Sequence, residues 1–429
     1  MAGFIWEVGK FLYKQEVTFG VDPTTDTYIP LISRPDLSGA GKAYWPADNM
    51  KQGVYMEEGI VGHGSEATMS ISHYMHGWSS TAPASLVGPT AVHPDAELAS
   101  LALGNYTLYD AGSGDAFVSA TTVDADKFTV NVDADPDAAG YKAGDVIGIE
   151  TDNGYEYGVI KTVTAAPTGP IVLRAELSTD QIAGAASDLV WNGSTVFTTT
   201  TFQQSSVAAN IGGQDASDDA LLLGGRPTSY KITANPRDFA MAEMELLFNS
   251  IERDNAGGAP AATSYGYPAR REIMGGCLVL WDGTDRIELD CSTFELDLGL
   301  EVVQPLDPCN DQGAGDPILT NRTPRITINP LQTSDVKDGA GAGDNKLDPP
   351  AAFEAGTSFD LRYYWGTPGN AICISAPACR LVEFPQPADR DSLTAWPLVF
   401  ECQSYTGDTG TAELTDNVPG DKDLCIGFV

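Results

Sequence analysis

Apolar and polar residues alternate with period two over much of the chain, the pattern of strands with one buried face. It is clearest over residues 286–330. There Phe294, Leu296, Leu298, Leu300 and Val302 share one parity, and Glu295, Asp297, Gly299 and Glu301 share the other. A Pro/Asp/Gly-rich turn follows, and then a run with Arg322, Pro324, Ile326 and Ile328 on one parity. The stretch 59–78 alternates in the same way, with Ala67, Met69, Ile71, His73 and Met75 opposite Glu66, Thr68, Ser70, Ser72 and Tyr74. Further strands are predicted within 1–20, 196–208 and 221–236, and in quick succession through the last third.

Residues 105–189 read as a small inserted β-barrel or sandwich. Their runs have hairpin spacing, with turn signals at Ala143-Gly144-Asp145, Asp152-Asn153-Gly154 and Pro167-Thr168-Gly169. One helix stands out, HPDAELASLALG at 93–104, with Pro94, Asp95 and Glu97 in its first turn and Gly104 as its stop. Residues 238–255 fit either period: Met244, Leu247, Phe248 and Ile251 suit a helix, whereas Met244, Leu246 and Phe248 suit a strand. The Gly/Asp-rich stretch 335–357 reads as an exposed flexible loop. The fold class expected is mainly β, with one short helix.

Composition agrees with turns rather than long helices, with 45 Gly and 27 Pro in 429 residues. Charge narrows the function. There are 24 Lys and Arg against 59 Asp and Glu, a net charge of −35. This speaks against tight binding of a phosphate backbone, which needs clustered cations. It leaves a generally acidic surface, adaptation to salt, or a surface that repels a polyanion. The seven cysteines all lie from Cys277 onward, are odd in number and form no C-x-x-C. They read as small buried hydrophobes in a reducing compartment. The opening MAGFIWEVGKFLYKQEV is broken by charges and does not resemble a signal peptide. No window approaches 18 uncharged apolar residues, so no membrane insertion is expected.

The catalytic inventory is thin. The chain has no G-x-S-x-G, H-E-x-x-H, Walker or dinucleotide motif. Gly224 and Gly225 lack the rest of a phosphate loop. The acid-rich stretches 133–140 and 307–316 lack the calcium-loop spacing and its final Glu. His73 and His76 have ligand-like spacing, but strand residues three apart face opposite ways and would not share an ion. Glu295 and Asp297 alternate as a solvated acidic face does. No enzyme, no cofactor and no metal are expected.

Several segments, in order, resemble the major tail tube proteins of long-tailed bacteriophages. They are FLYKQEVTFGVDPTTDTYIPL, EATMSISHYMHGWSSTAPASLVGP with HPDAELASLALG, LLLGGRPTSYKITANP with DFAMAEMELLF, FELDLGLEVVQPLDPCNDQGAGDPILTNRTPRITINP, and KDLCIGFV. The resemblance covers 1–104 and 190–429 as one discontinuous domain, with 105–189 as the insertion. It implies a β-sandwich whose extended strands join neighbouring copies in a hexameric ring, with rings stacking into a tube. It also implies that 238–255 is a strand.

The partners it implies are further copies of the chain, a tape-measure protein during assembly, tail terminator and distal tail proteins, and genomic DNA passing through without tight binding. The implied location is the virion tail, assembled in the host cytoplasm. In that setting Glu295, Asp297, Glu301, Glu243 and Glu245 become candidates for an acidic lumen that lets a polyanion pass. Asp307, Pro308, Asp311, Arg322 and Arg325 become candidates for contacts between subunits or rings. The alternative is a β-rich carbohydrate-binding or adhesive surface protein, with Trp78, Trp191, Trp281, Trp365 and Trp396 as sugar platforms.

Overall fold

In the computed structural model the chain is mainly β. The structure describes residues 10–16, 21, 29–30, 36–38, 44–45, 60–61, 67–77, 94–107, 118–180, 188–192, 194–198, 207–212, 220–253, 273, 277–306, 315–367, 370–390, 392–405, 407 and 423–429. Alternation sets which side of each strand is buried. Along Ala67–Tyr74 the residues Ala67, Met69, Ile71 and His73 are buried. Along Met241–Phe248 they are Ala242, Met244, Leu246 and Phe248, so the ambiguous stretch contains a strand. Its period-two face matches the strands on either side, and that outweighs helix propensity.

The main sheet is antiparallel throughout. Ala67–Tyr74 pairs with Met241–Phe248, which pairs with the long strand Ala220–Thr233. The order continues through Cys291–Asp297, Arg325–Pro330 and Leu398–Cys402 to Asn370–Leu381. From there it branches to Phe359–Thr367 and to Cys425–Phe428. The core beneath the inward face includes Phe294, Leu296, Ile326, Ile328, Phe359 and Phe400.

Helix α1, Pro94–Leu103, lies within that core. Asp95 and Glu97 are buried as well. Asp95 accepts a hydrogen bond from the His76 amide at 2.8 Å, and Glu97 accepts one from the Gln15 amide at 3.2 Å. The helix stops where Gly104 takes a left-handed φ of 124°.

The inserted unit is a closed six-stranded barrel. In spatial order its strands are Val118–Val123, Thr129–Val132, Ile171–Leu173, Gly154–Val163, Val146–Thr151 and Asp188–Asn192. Val130, Ile147, Ile149, Ile160, Ile171 and Val190 fill its interior. Its limits differ from 105–189, because Gly104–Thr107 pairs with Ser194–Thr198 in the main sheet.

The barrel is also docked on the main sheet rather than standing apart. Val146, Tyr157 and Val159 pack against Val279, Tyr364, Cys373 and Cys425. Arg362, only 1% exposed, donates from Nη2 to the Glu176 carbonyl at 3.0 Å and from Nη1 to the Tyr157 carbonyl at 3.4 Å. Arg286 donates to the same Glu176 carbonyl at 2.7 Å and pairs with Glu156 at 3.4 Å. Burial opposes the Arg286 charge, but Glu156 leads the neighbours that more than offset it, and its pKa lies above the ordinary value.

The stretch 335–357 is not the flexible loop expected from its composition. Val336 and Leu347 are buried and form a parallel bridge, and the Asn345 amide donates to the Arg286 carbonyl at 2.8 Å. A second helix, α2, runs from Pro349 to Ala355. Asp348 caps its start, prolines occupy its first turn, and Gly356 closes it at φ 63°. Those signals stand in the sequence and identify the helix better than the Gly/Asp content does.

Candidate functional site

The outward face of the main sheet brings four of the five candidate carboxylates together. Period two puts Glu243 and Glu245 on the side opposite Met244 and Leu246, and Glu295 and Asp297 opposite Phe294 and Leu296. Antiparallel register then decides their neighbours. One row crosses six strands: Glu243, Lys231, Asp297, Arg325, Glu401 and Arg380 stand side by side in that order. The signs alternate from end to end. Lys231 Nζ lies 2.8 Å from Asp297 Oδ2 and 3.8 Å from Glu295 Oε1, and Arg325 Nη2 lies 3.4 Å from Glu401 Oε2. The hydrogen bond that Lys231 donates to Asp297, supported by the charges of Asp297 and Glu295, raises the Lys231 pKa.

The adjoining positions are hydroxyl-bearing. Glu245 stands between Ser70 and Ser229, and Glu295 between Thr233 and Thr327. The face is therefore polar and charge-laddered, with five carboxylates (Glu243, Glu245, Glu295, Asp297, Glu401) against three cations (Lys231, Arg325, Arg380). The acidic face read along one strand thus gains cations from the strands beside it. Alternation along one strand shows the acids but is silent about which cation the next strand sets beside them. These pairs are solvent-exposed, so each contributes about 0–1 kcal/mol to stability.

Glu301 lies apart from this face. The run 294–302 is not one strand, because Gly299 adopts a left-handed φ of 55° after Leu298. The Gly299 amide donates to Asp297 Oδ1 at 2.9 Å. The chain then enters a separate two-stranded ribbon, Leu300–Val303 with Ile318–Arg322. Glu301 is exposed on that ribbon opposite Asn321. The ribbon and the residues just beyond its first strand also show water a set of large apolar side chains. Val303 is 54% exposed, its partner Ile318 44%, and Leu306 89%.

Of the candidate contact residues, Asp307, Pro308 and Asp311 lie outside the described residues. Arg325 is exposed on the charge ladder. Arg322 turns inward: its side chain is 6% exposed, it donates to the Leu103 carbonyl at 2.8 Å, and it lies 3.5 Å from Asp423. It is thus engaged with the last turn of α1 and the C-terminal segment of its own chain, unlike the exposed Arg325. A cation at a helix C-terminus satisfies carbonyls that lack intrahelical partners.

His73 and His76 do converge, contrary to the parity argument. His76 lies beyond the end of its strand, so the rule for strand faces does not apply to it. His73 Nε2 and His76 Nδ1 each lie 3.6 Å from the buried Asp95 carboxylate. Burial, opposed by Asp95, lowers the His73 pKa. Among the described residues no group of three or more His, Cys, Asp and Glu side chains is arranged to hold a metal ion.

The tryptophans give little support to a sugar platform. Trp365 and Trp396 are buried, and Trp281 is half-buried with its ring edge-on to Phe128 at 5.3 Å. Trp78 and the Trp191 side chain lie outside what is described.

No protein-family model matches the chain, and no curated protein matches it in sequence.

Proposed function

We propose that the protein is a self-assembling structural subunit, of the kind that builds a phage tail tube from stacked hexameric rings. The observation that carries this reading is the ribbon Leu300–Val303/Ile318–Arg322. It holds Val303 and Ile318 in water as a cross-strand pair, with Leu306 exposed just beyond its first strand. A second copy of the chain would cover them. Each such side chain contributes about 1.5–3 kcal/mol when fully buried, less the fraction already covered. The order of tail-tube-like segments in the sequence supports the same reading.

In a tube the charge-laddered face is the surface suited to the lumen. Its carboxylates outnumber its cations, and Ser70, Ser72, Ser229, Thr233 and Thr327 keep it hydrated. Phosphates would meet hydroxyls, carboxylates and cations already paired with acids. Lys231 and Arg325 are partly neutralised by Asp297 and Glu401, which weakens their hold on a passing polyanion. A tape-measure protein, terminator and distal tail proteins and transiting DNA are the partners of this reading, and the virion tail is its location.

Electron microscopy of the purified full chain tests it. Rings or tubes are expected, and a Val303→Ser/Leu306→Ser/Ile318→Thr variant should remain monomeric with an unchanged unfolding midpoint. Discrete monomers of the unaltered protein at every salt and protein concentration would refute the proposal.

A further inference from the structure

A cavity of about 560 Å³ lies beside α2, on a part of the fold that neither the charge ladder nor the ribbon uses. Its walls come from three places: the ordered stretch around Lys337 and Asp338, the helix residues Pro350, Ala351 and Glu354, and the segment Phe384–Pro387 with Trp396. Phe384 is 51% exposed, yet its ring is held edge-on against Phe353, with centroids 5.6 Å apart. An aromatic ring at such a mouth is pre-positioned and loses little freedom when a ligand covers it. Pro385 and Pro387 add apolar surface that donates no backbone hydrogen bond.

Charge specifies the ligand. Trp396, 2% exposed, forms part of the apolar wall. The charged lining is Asp338, Asp348 and Glu354 against Lys337 alone. Asp348 spends its oxygens on the Ala351 amide at 3.1 Å and the Gly339 amide at 2.7 Å, which leaves Asp338 and Glu354 to meet a cation. Aromatic surface beside carboxylates favours a cationic group carried on an apolar stem.

We propose that this cavity binds an extended peptide segment bearing lysine or arginine, with the cation set between Phe384 and the Asp338/Glu354 carboxylates. Extended, proline-containing segments suit such a groove because their backbone carbonyls stay unpaired and little conformational freedom is lost on binding. The inference does not depend on tube assembly.

Fluorescence anisotropy with the full chain tests it, using a labelled nonapeptide of Pro-Pro-Lys repeats and its Pro-Pro-Glu counterpart. Saturable binding of the lysine peptide alone is expected. Phe384→Ala, an exposed change that leaves net charge untouched, should weaken binding at least tenfold. Asp338→Lys/Glu354→Lys should abolish it. Glu243→Lys/Glu245→Lys makes the same charge change on the outer sheet face and should leave binding within about twofold, which separates site recognition from general attraction to an acidic protein. Absence of saturation, equal losses in the two charge-reversed variants, or indifference to Phe384→Ala would overturn the proposal. So would competition by chitohexaose, which would make the cavity a saccharide site.

Discussion

Replacing Arg362 by Met should uncouple the barrel from the main sheet at one identifiable point. The side chain is almost fully buried, so the perturbation falls on its partners rather than on solvent. The Glu176 carbonyl keeps its hydrogen bond from Arg286 at 2.7 Å, and Met refills much of the volume. The main loss falls on Asp360, 6% exposed and 3.9 Å from Arg362 Nε. Unit charges at that distance attract by about 4 kcal/mol at an effective dielectric of about 20. Arg174 also acts on Asp360 and remains in the variant. A loss of about 2–4 kcal/mol at neutral pH is therefore expected, near the range for breaking one side of a buried pair.

The loss should depend on pH. Burial raises the Asp360 pKa in the folded protein, and Arg362 opposes that rise. A carboxyl with a raised folded pKa favours folding when protonated, and that contribution disappears as pH rises through the folded value. Removing Arg362 raises this pKa further, so the variant should be penalised most at pH 8 and least near pH 5. Urea unfolding followed by tryptophan fluorescence at both pH values measures this, and Asp360→Asn/Arg362→Met should recover much of the loss at pH 8. A penalty below about 1 kcal/mol at neutral pH, or one equal at pH 5 and pH 8, would refute this account of the barrel contact.

Three other outcomes follow from local geometry. Gly299→Ala should cost about 2 kcal/mol in urea unfolding, because φ is 55° and a Cβ would sit 2.7 Å from the Thr323 carbonyl oxygen; a change under about 0.5 kcal/mol would contradict it. Burial holds the His73 pKa below its unfolded value of about 6.5, so the associated stability is lost as pH falls from about 6.5 towards the folded value, and His73→Gln should flatten that part of the stability–pH curve. Cys379 and Cys402 are buried cross-strand neighbours whose thiols burial raises well above the ordinary range; Ellman's reagent at pH 8 should reach neither in the native protein and both in urea, as peptide mapping would show.

The sequence alone determined the local alternatives. Period-two patterning put Met244, Phe294 and Leu296 on buried faces and Glu243, Glu295 and Asp297 on outer ones, because a strand leaves its side chains only two directions. Pro94 and Gly104 bracketed α1 because each restricts what the backbone can do at that point. The signals for α2 were equally present in Asp348, Pro349 and Gly356, though Gly/Asp-rich surroundings concealed them.

Tertiary structure decided whatever depends on a neighbour distant in sequence. Lys231 faces Asp297, and Arg325 faces Glu401, only because of strand order and register, so an acidic-looking strand belongs to an alternating ladder. The left-handed turn at Gly299 moved Glu301 onto a separate ribbon, and the end of α1 drew Arg322 inward. His73 and His76 meet at Asp95 because the strand ends between them and a helix supplies the carboxylate. The barrel is joined to the sheet by Arg362 and Arg286 acting on one carbonyl of Glu176. Periodicity is a property of the backbone and can be read along one strand; pairing is a property of which strands pack together, and no single strand carries it.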